Sequence, residues 1–301
     1  MNSNQKQSTK SAECRCIIDA PATLNSYARL SAAVDTQWTK LAPETVIVAT
    51  ANSAWLYNYD PRKSIDRFAS SMSGIEGTIS STQNLLDGAI AAAYYHYCER
   101  QVSELTLAGW IWQLAGHYHL TSLTPTLLED VGQEFSEGNQ RDLARWAKQQ
   151  AQRERGYNIS TIRDIEYLGY DAQKVVSQLH PHQPEIIIDY LIECQKTNPL
   201  CYLGYAYTLE RIATRVEQDY RQQIQSLLPP NIASPRRPWL YGSVGVEREN
   251  VKQTTQLIDN LSGRKRSLIA RNCYEIALLC FEYAETVNLT NDQIEPMLQA
   301  L

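Results

Sequence analysis

RERGYNISTIRDIEYLGY, residues 153–170, carries the pattern from which the fold is read. Leu143, Ala147, Glu154, Tyr157, Ile165 and Leu168 recur at helical spacing, which predicts one amphipathic helix through this stretch, with Gly169 free to take a left-handed cap. Glu154 then points where the apolar residues point. A carboxylate on a core-facing stripe is costly to bury alone, so it is paired, protonated or bound to a metal. Glu154 and Tyr157 stand three apart, the spacing by which helical iron and manganese proteins aim two ligands from one helix, although tyrosine stands where histidine is usual. The alternative at this spacing is a buried hydrogen-bonded pair.

The run Glu154-Arg-Gly-Tyr157, followed by Asp164-Ile-Glu-Tyr-Leu-Gly169, resembles the Glu-x-Gly-His…Asp-Leu-x-x-Leu-Gly signature of the iron-containing redox enzyme family, a branch of the haem-oxygenase-like helical fold. Further segments resemble it in order: Trp112-Gln113 to Thr124-Pro125, then Asn198-Pro-Leu-Cys-Tyr-Leu-Gly-Tyr205 through Leu209-Glu210, then Ser243-x-x-x-Glu247-x-x-Asn250-Val251. The resemblance spans roughly residues 105–285. It implies an all-α, haem-oxygenase-like bundle and a dimetal oxidase or oxygenase acting on a small organic molecule. Carried over residue by residue, the metal ligands would be Glu154, Glu210 and Glu247, with His119 nearest the remaining place. Tyr157, Asp164, Ser243 and Asn250 would line the pocket. Where the family presents histidine this chain has Tyr157, Ser243 and Asn250, and where it presents aspartate it has Glu247. The ordinary dinuclear iron site is therefore expected to be incomplete. The surviving oxygen donors suit iron or manganese, and a chain with no metal is equally consistent with them.

Composition narrows the class. The chain of 301 residues can bury a large core, and its 43% hydrophobic content is that of a globular protein. Eighteen tyrosines against three phenylalanines imply half-wet packing with hydroxyls to satisfy. A net charge of −5 argues against a grip on nucleic acid, and the isolated cluster Arg264-Lys265-Arg266 reads as a solvated helix junction. Seven cysteines without paired zinc spacing fit a reducing, cytoplasmic setting, with Cys273 and Cys280 as small core residues. The polar opening MNSNQKQSTK has no apolar signal core, and no stretch reaches membrane-spanning length.

Along the chain, residues 1–12 read as a disordered tail and 13–62 as an N-terminal extension that covers one flank of the bundle, with a lid over a pocket or a dimer contact as the alternatives. Within it, Thr45-Val-Ile-Val-Ala-Thr is either a short strand or a buried helical turn. Residues 63–301 form the helical domain, with helices expected near 63–101, 104–136, 139–168, 171–179, 184–196, 200–228, 239–262, 265–287 and 291–300. Prolines at 125, 181, 184, 199, 229, 230, 235 and 238 punctuate the periodic segments. His180-Pro-His182 sits in a proline-flanked loop with no further ligand nearby in sequence. Glu210 flanks the buried stripe of its helix, either lining a pocket or paired structurally.

Two functions follow. One is a metal-dependent oxidase or oxygenase, as the resemblance implies. The other is a metal-free ligand-binding, assembly or cofactor-independent catalytic module on the same fold. Both expect a small-molecule ligand and allow a homodimer, and neither identifies a catalytic residue.

Overall fold

The β-branched run Thr45–Ala49 is the middle strand of a three-stranded antiparallel sheet, which resolves the strand-or-helix alternative at that segment in favour of a strand. In the computed structural model the described residues are 36–58, 78–97, 106–214, 224, 226–227, 244–286 and 291–299. The tail 1–12 and much of the extension 13–62 lie outside them. The described residues are mostly helical, 77%, so the all-α expectation holds with the small sheet added to it. No helix among them is long and apolar enough to cross a membrane.

Strands β1 (Gln37–Ala42), β2 (Thr45–Ala49) and β3 (Ala54–Asn58) pair in sequence order. Ile47 pairs with Thr39 and Leu56, and the register shifts between Lys40 and Ala42. Alternation then sorts the side chains. Val46 and Val48 pack with Trp38, Trp55 and Tyr57, whereas Ile47 turns to helix α1 (Ile79–Tyr97), where a Cβ on Gly88 would stand 2.8 Å from its Cδ1. A strand buried on both faces needs apolar residues throughout, which is why the run is continuous rather than alternating.

The remaining helices are α2 (Leu107–Glu137), α3 (Arg141–Glu154), α4 (Tyr157–Tyr167), α5 (Ala172–Gln178), α6 (His182–Gln195), α7 (Cys201–Thr214), α8 (Val244–Asp259), α9 (Gly263–Thr286) and α10 (Asn291–Gln299). The chain divides into two compact units. The first takes residues 1–99, Leu203–Thr208 and Gln253–Leu278, and the second takes the rest.

The first unit is tied by a buried polar knot. Arg266 Nε donates to Gln37 Oε1 at 2.7 Å, and its Nη1 donates to the carbonyls of Asp259 and Leu261 at 3.0 and 2.6 Å. The Gln37 amide nitrogen donates onward to Ser81 and Thr82, and Thr82 donates to Asp259. One guanidinium thus caps the end of α8 while holding β1 and, through Gln37, the start of α1. Arg266 belongs to the basic cluster that reads as a solvated junction in sequence, yet it is 4% exposed. The tertiary fold surrounds it with carbonyls, and a fork of donors satisfies several of them at once. Ser267 extends the clamp by donating to the Trp38 carbonyl. In the same unit Tyr207 donates to buried Asp87 at 2.8 Å, and α7 meets α9 at Gly204, where a Cβ would stand 2.8 Å from that of Asn272.

The second unit is built on α2, with α3, α4, α5, α6 and α10 packed against it. Thr106 caps α2 by accepting from the Gly109 amide. Trp110, Ile111 and Leu114 of α2 share a core with Ile165, Leu168, Val175 and Leu179. Pro125, expected between helices, lies inside α2, and Pro184 lies in the first turn of α6. Near a helix start a missing N–H costs little, which accounts for Pro184. The single helix expected over 139–168 is two, α3 and α4, because Gly156 at φ 94° turns the chain between them. Gly169 takes the left-handed conformation expected of it, at φ 90°.

Replacing Arg266 with leucine strips Gln37 and two carbonyls of their donor while keeping apolar bulk. Urea denaturation is expected to show a loss of about 2–4 kcal/mol, against less than about 0.5 kcal/mol for Arg264→Leu on the exposed side of the same helix.

Candidate functional site

Helix α3 buries Leu143, Trp146, Ala147, Gln150, Ala151 and Glu154, a run of three- and four-residue steps that brings two polar side chains onto the apolar face. Glu154 is 6% exposed and Gln150 5%. From α2, Thr124, fully buried, donates its hydroxyl to Glu154 Oε2 at 2.5 Å. Gln150, one turn before Glu154, donates through Nε2 to Glu154 Oε1 at 3.2 Å, and the same nitrogen lies 3.5 Å from Glu210 Oε1 on α7. The two carboxylates therefore meet at one amide. Burial pushes the Glu154 carboxyl above the usual carboxylate range, opposed by the hydrogen bonds from Thr124 and Gln150.

The amide itself is asymmetrically satisfied. Its nitrogen serves both acids, while Gln150 Oε1 is buried with no hydrogen-bond partner among the described residues. An unpaired buried acceptor costs about 1–3 kcal/mol. If one acid carries a proton and the amide is turned end for end, Oε1 accepts that proton and the nitrogen serves the remaining carboxylate. An external N–H or O–H donor would satisfy Oε1 equally.

The other residues singled out in the sequence fall in different places. Tyr157 begins α4 just after the left-handed Gly156 and is 41% exposed, while the two oxygens of Glu154 accept from Thr124 and Gln150. The expected common face of Glu154 and Tyr157 requires an unbroken helix, and the break at Arg155 and Gly156 removes it. Asp164 on α4 and Asn250 on α8 are buried, at 3% and 6% exposure. Ser243 and the Glu247 side chain lie outside the described residues. His119 is half-buried, and its Nε2 contacts the Leu179 carbonyl at 2.9 Å. Among the described residues no group of three or more histidine, cysteine, aspartate or glutamate side chains is arranged to hold a metal.

His117, two residues before His119, turns instead to Thr161 on α4, with Nδ1 2.8 Å from the hydroxyl. That hydroxyl also donates to the Tyr157 carbonyl at 3.0 Å. Its one proton being used there, the imidazole is the donor to Thr161. Burial lowers the His117 pKa to about 4, so the ring is neutral at pH 7.

Neither Thr124 nor Gln150 was read from the sequence as a partner of Glu154. Gln150 is a polar residue four before Glu154 on the same face, and Thr124 entered only as part of the segment Trp112-Gln113 to Thr124-Pro125. Comparison of the chain with protein-family models, with curated proteins and with solved structures found no match.

Two pH dependences follow. The Glu154 carboxyl binds its proton more tightly in the folded chain than in the unfolded one, so its contribution to stability is present at low pH and is lost as pH rises through the raised pKa. Glu154→Gln should abolish that loss: the stability of the native chain relative to the variant should fall by up to about 1.4 kcal/mol per pH unit above the ordinary glutamate range. His117 has the opposite sign. Its contribution is complete above pH 6.5 and is lost as pH falls toward 4, a loss of about 2–3 kcal/mol that His117→Gln should remove from the acid limb of a denaturation series.

Proposed function

We propose that this chain is a haem-oxygenase-like helical protein, related to the iron-containing redox enzyme family, whose second unit binds a small organic molecule at Glu154, Gln150 and Glu210 without a pair of irons. The observation that carries this reading is the hydrogen-bond state of Glu154. Both of its oxygens accept from neutral protein donors, Thr124 and Gln150, and the side chain that joins it to Glu210 is an amide.

The donor set does not fit the iron pair that the resemblance implies. A dinuclear centre draws bridging carboxylates and imidazoles to one point. Here Tyr157 stands at the surface, no group of three or more histidine, cysteine, aspartate or glutamate side chains among the described residues is arranged to hold a metal, and the amide nitrogen placed between the two acids is a donor that a cation would repel. No reaction step is therefore assigned to a metal. What these residues do is orient and donate. Among the described residues the buried Gln150 Oε1 has no donor, and Glu154 and Glu210 offer either acceptors or an acidic proton within reach of the same amide. A ligand bearing an N–H or O–H group would complete this set, and the burial of Glu154 and Gln150 would strengthen its hydrogen bonds there by excluding water.

The separating measurement is metal analysis of tag-free protein produced with iron and manganese supplied separately and no chelator. The expected result is iron and manganese well below one per chain, with an unchanged helical spectrum in Glu154→Ala. Iron or manganese near one or two per chain that disappears in Glu154→Ala would replace this reading with the metal-dependent oxidase.

A further inference from the structure

The loop between α5 and α6 brings together two imidazoles that are 61 residues apart in sequence. Pro181 and Pro184 lie over Gly116 of α2, where a Cβ would meet their rings at 3.4 and 3.5 Å. One turn further along α2, His119 stacks on His180 with ring centroids 4.8 Å apart and planes inclined by 29°. Each ring is held by the same kind of bond. His119 Nε2 is 2.9 Å from the Leu179 carbonyl and His180 Nε2 is 3.0 Å from the Ser177 carbonyl. A carbonyl oxygen only accepts, so both Nε2 atoms carry hydrogen and, in the neutral rings, both Nδ1 atoms carry a lone pair. Among the described residues neither Nδ1 has a hydrogen-bond partner.

That combination is the arrangement by which proteins prepare histidine for a metal: the far nitrogen donates to a backbone carbonyl, fixing tautomer and ring orientation, and the near one is presented. Here it occurs twice, on adjacent rings. His180 is exposed and His119 half-buried, so an ion reaches them from solvent. Two nitrogens bound at about 2.0–2.1 Å to one tetrahedral ion stand about 3.3 Å apart, and the ion lies in the plane of each imidazole, so binding turns the two adjacent rings out of their stack toward one point.

We propose that His119 and His180 form a two-histidine site for a borderline divalent cation, zinc above all, with both Nδ1 atoms as ligands and the remaining positions open to water. Imidazole selects zinc, copper and nickel over the hard cations magnesium and calcium. The site is separate from Glu154 and does not depend on what that triad binds.

The test is calorimetric titration of tag-free, full-length protein with zinc, and with magnesium as the hard-cation control, near neutral pH. One zinc per chain is expected, with no magnesium heat. Affinity should fall about 10-fold or more in His119→Gln, whose amide keeps a donor for the Leu179 carbonyl, and likewise in His180→Gln. Glu154→Gln should leave it unchanged. The rival is His182, which pairs with Glu185 at 2.8 Å on the first turn of α6. Zinc binding that survives both substitutions, or that falls only in His182→Gln, overturns the proposal, as does the absence of zinc binding. Because His180 is exposed, its variant decides the matter even where His119→Gln perturbs packing.

Discussion

A carboxylate carried into the packed face between two helices is the constraint around which the second unit is arranged. Glu154 ends α3 on its buried side, and water no longer solvates it. The neighbouring helix answers with Thr124, a mid-helix hydroxyl that donates across the interface rather than to its own turn, and α3 answers with Gln150 one turn back. These donors stabilise the charge or orient the proton, and through Gln150 they bring Glu210 into the same set. The chain then leaves the interface by a left-handed glycine, so that the next residue, Tyr157, stands at the surface.

The first unit meets a similar demand with the opposite charge. Arg266 is enclosed by carbonyls and by Gln37, and its fork of donors ties β1 to the end of α8. Both clusters use a glutamine as the joint. An amide offers a donor and an acceptor on one planar group, so it can transmit the preference of one charged side chain to the next. In the first unit both ends of Gln37 are used, which makes it structural. In the second, the Gln150 oxygen has no hydrogen-bond partner among the described residues, and that difference is why the functional reading attaches to Gln150 and not to Gln37.

The histidine pair of α2 shows how a helix sorts like residues to unlike ends. His117 and His119 diverge around α2 because residues two apart point in different directions. One is enclosed against Thr161 and loses basicity, and the other reaches the loop beyond α5 and finds His180. Sequence spacing states that the two cannot share a face, but not which neighbour each acquires.

Periodicity alone was enough to establish a predominantly helical chain, most of its helix ends, the left-handed Gly169 and the inward direction of Glu154, because each depends on local backbone geometry and the burial of one stripe. It left the 45–50 run undecided, since a short apolar segment fits a strand or a buried turn until a partner strand exists. It also misplaced Tyr157 by running one helix through Gly156: helical spacing continues across a break that only backbone conformation reveals. The meeting of Glu154 with Glu210, the burial of Arg266 and the stacking of His119 on His180 were settled by tertiary structure alone. These are contacts between residues far apart in the chain, and they exist because packing apolar faces brings particular polar side chains to the same point.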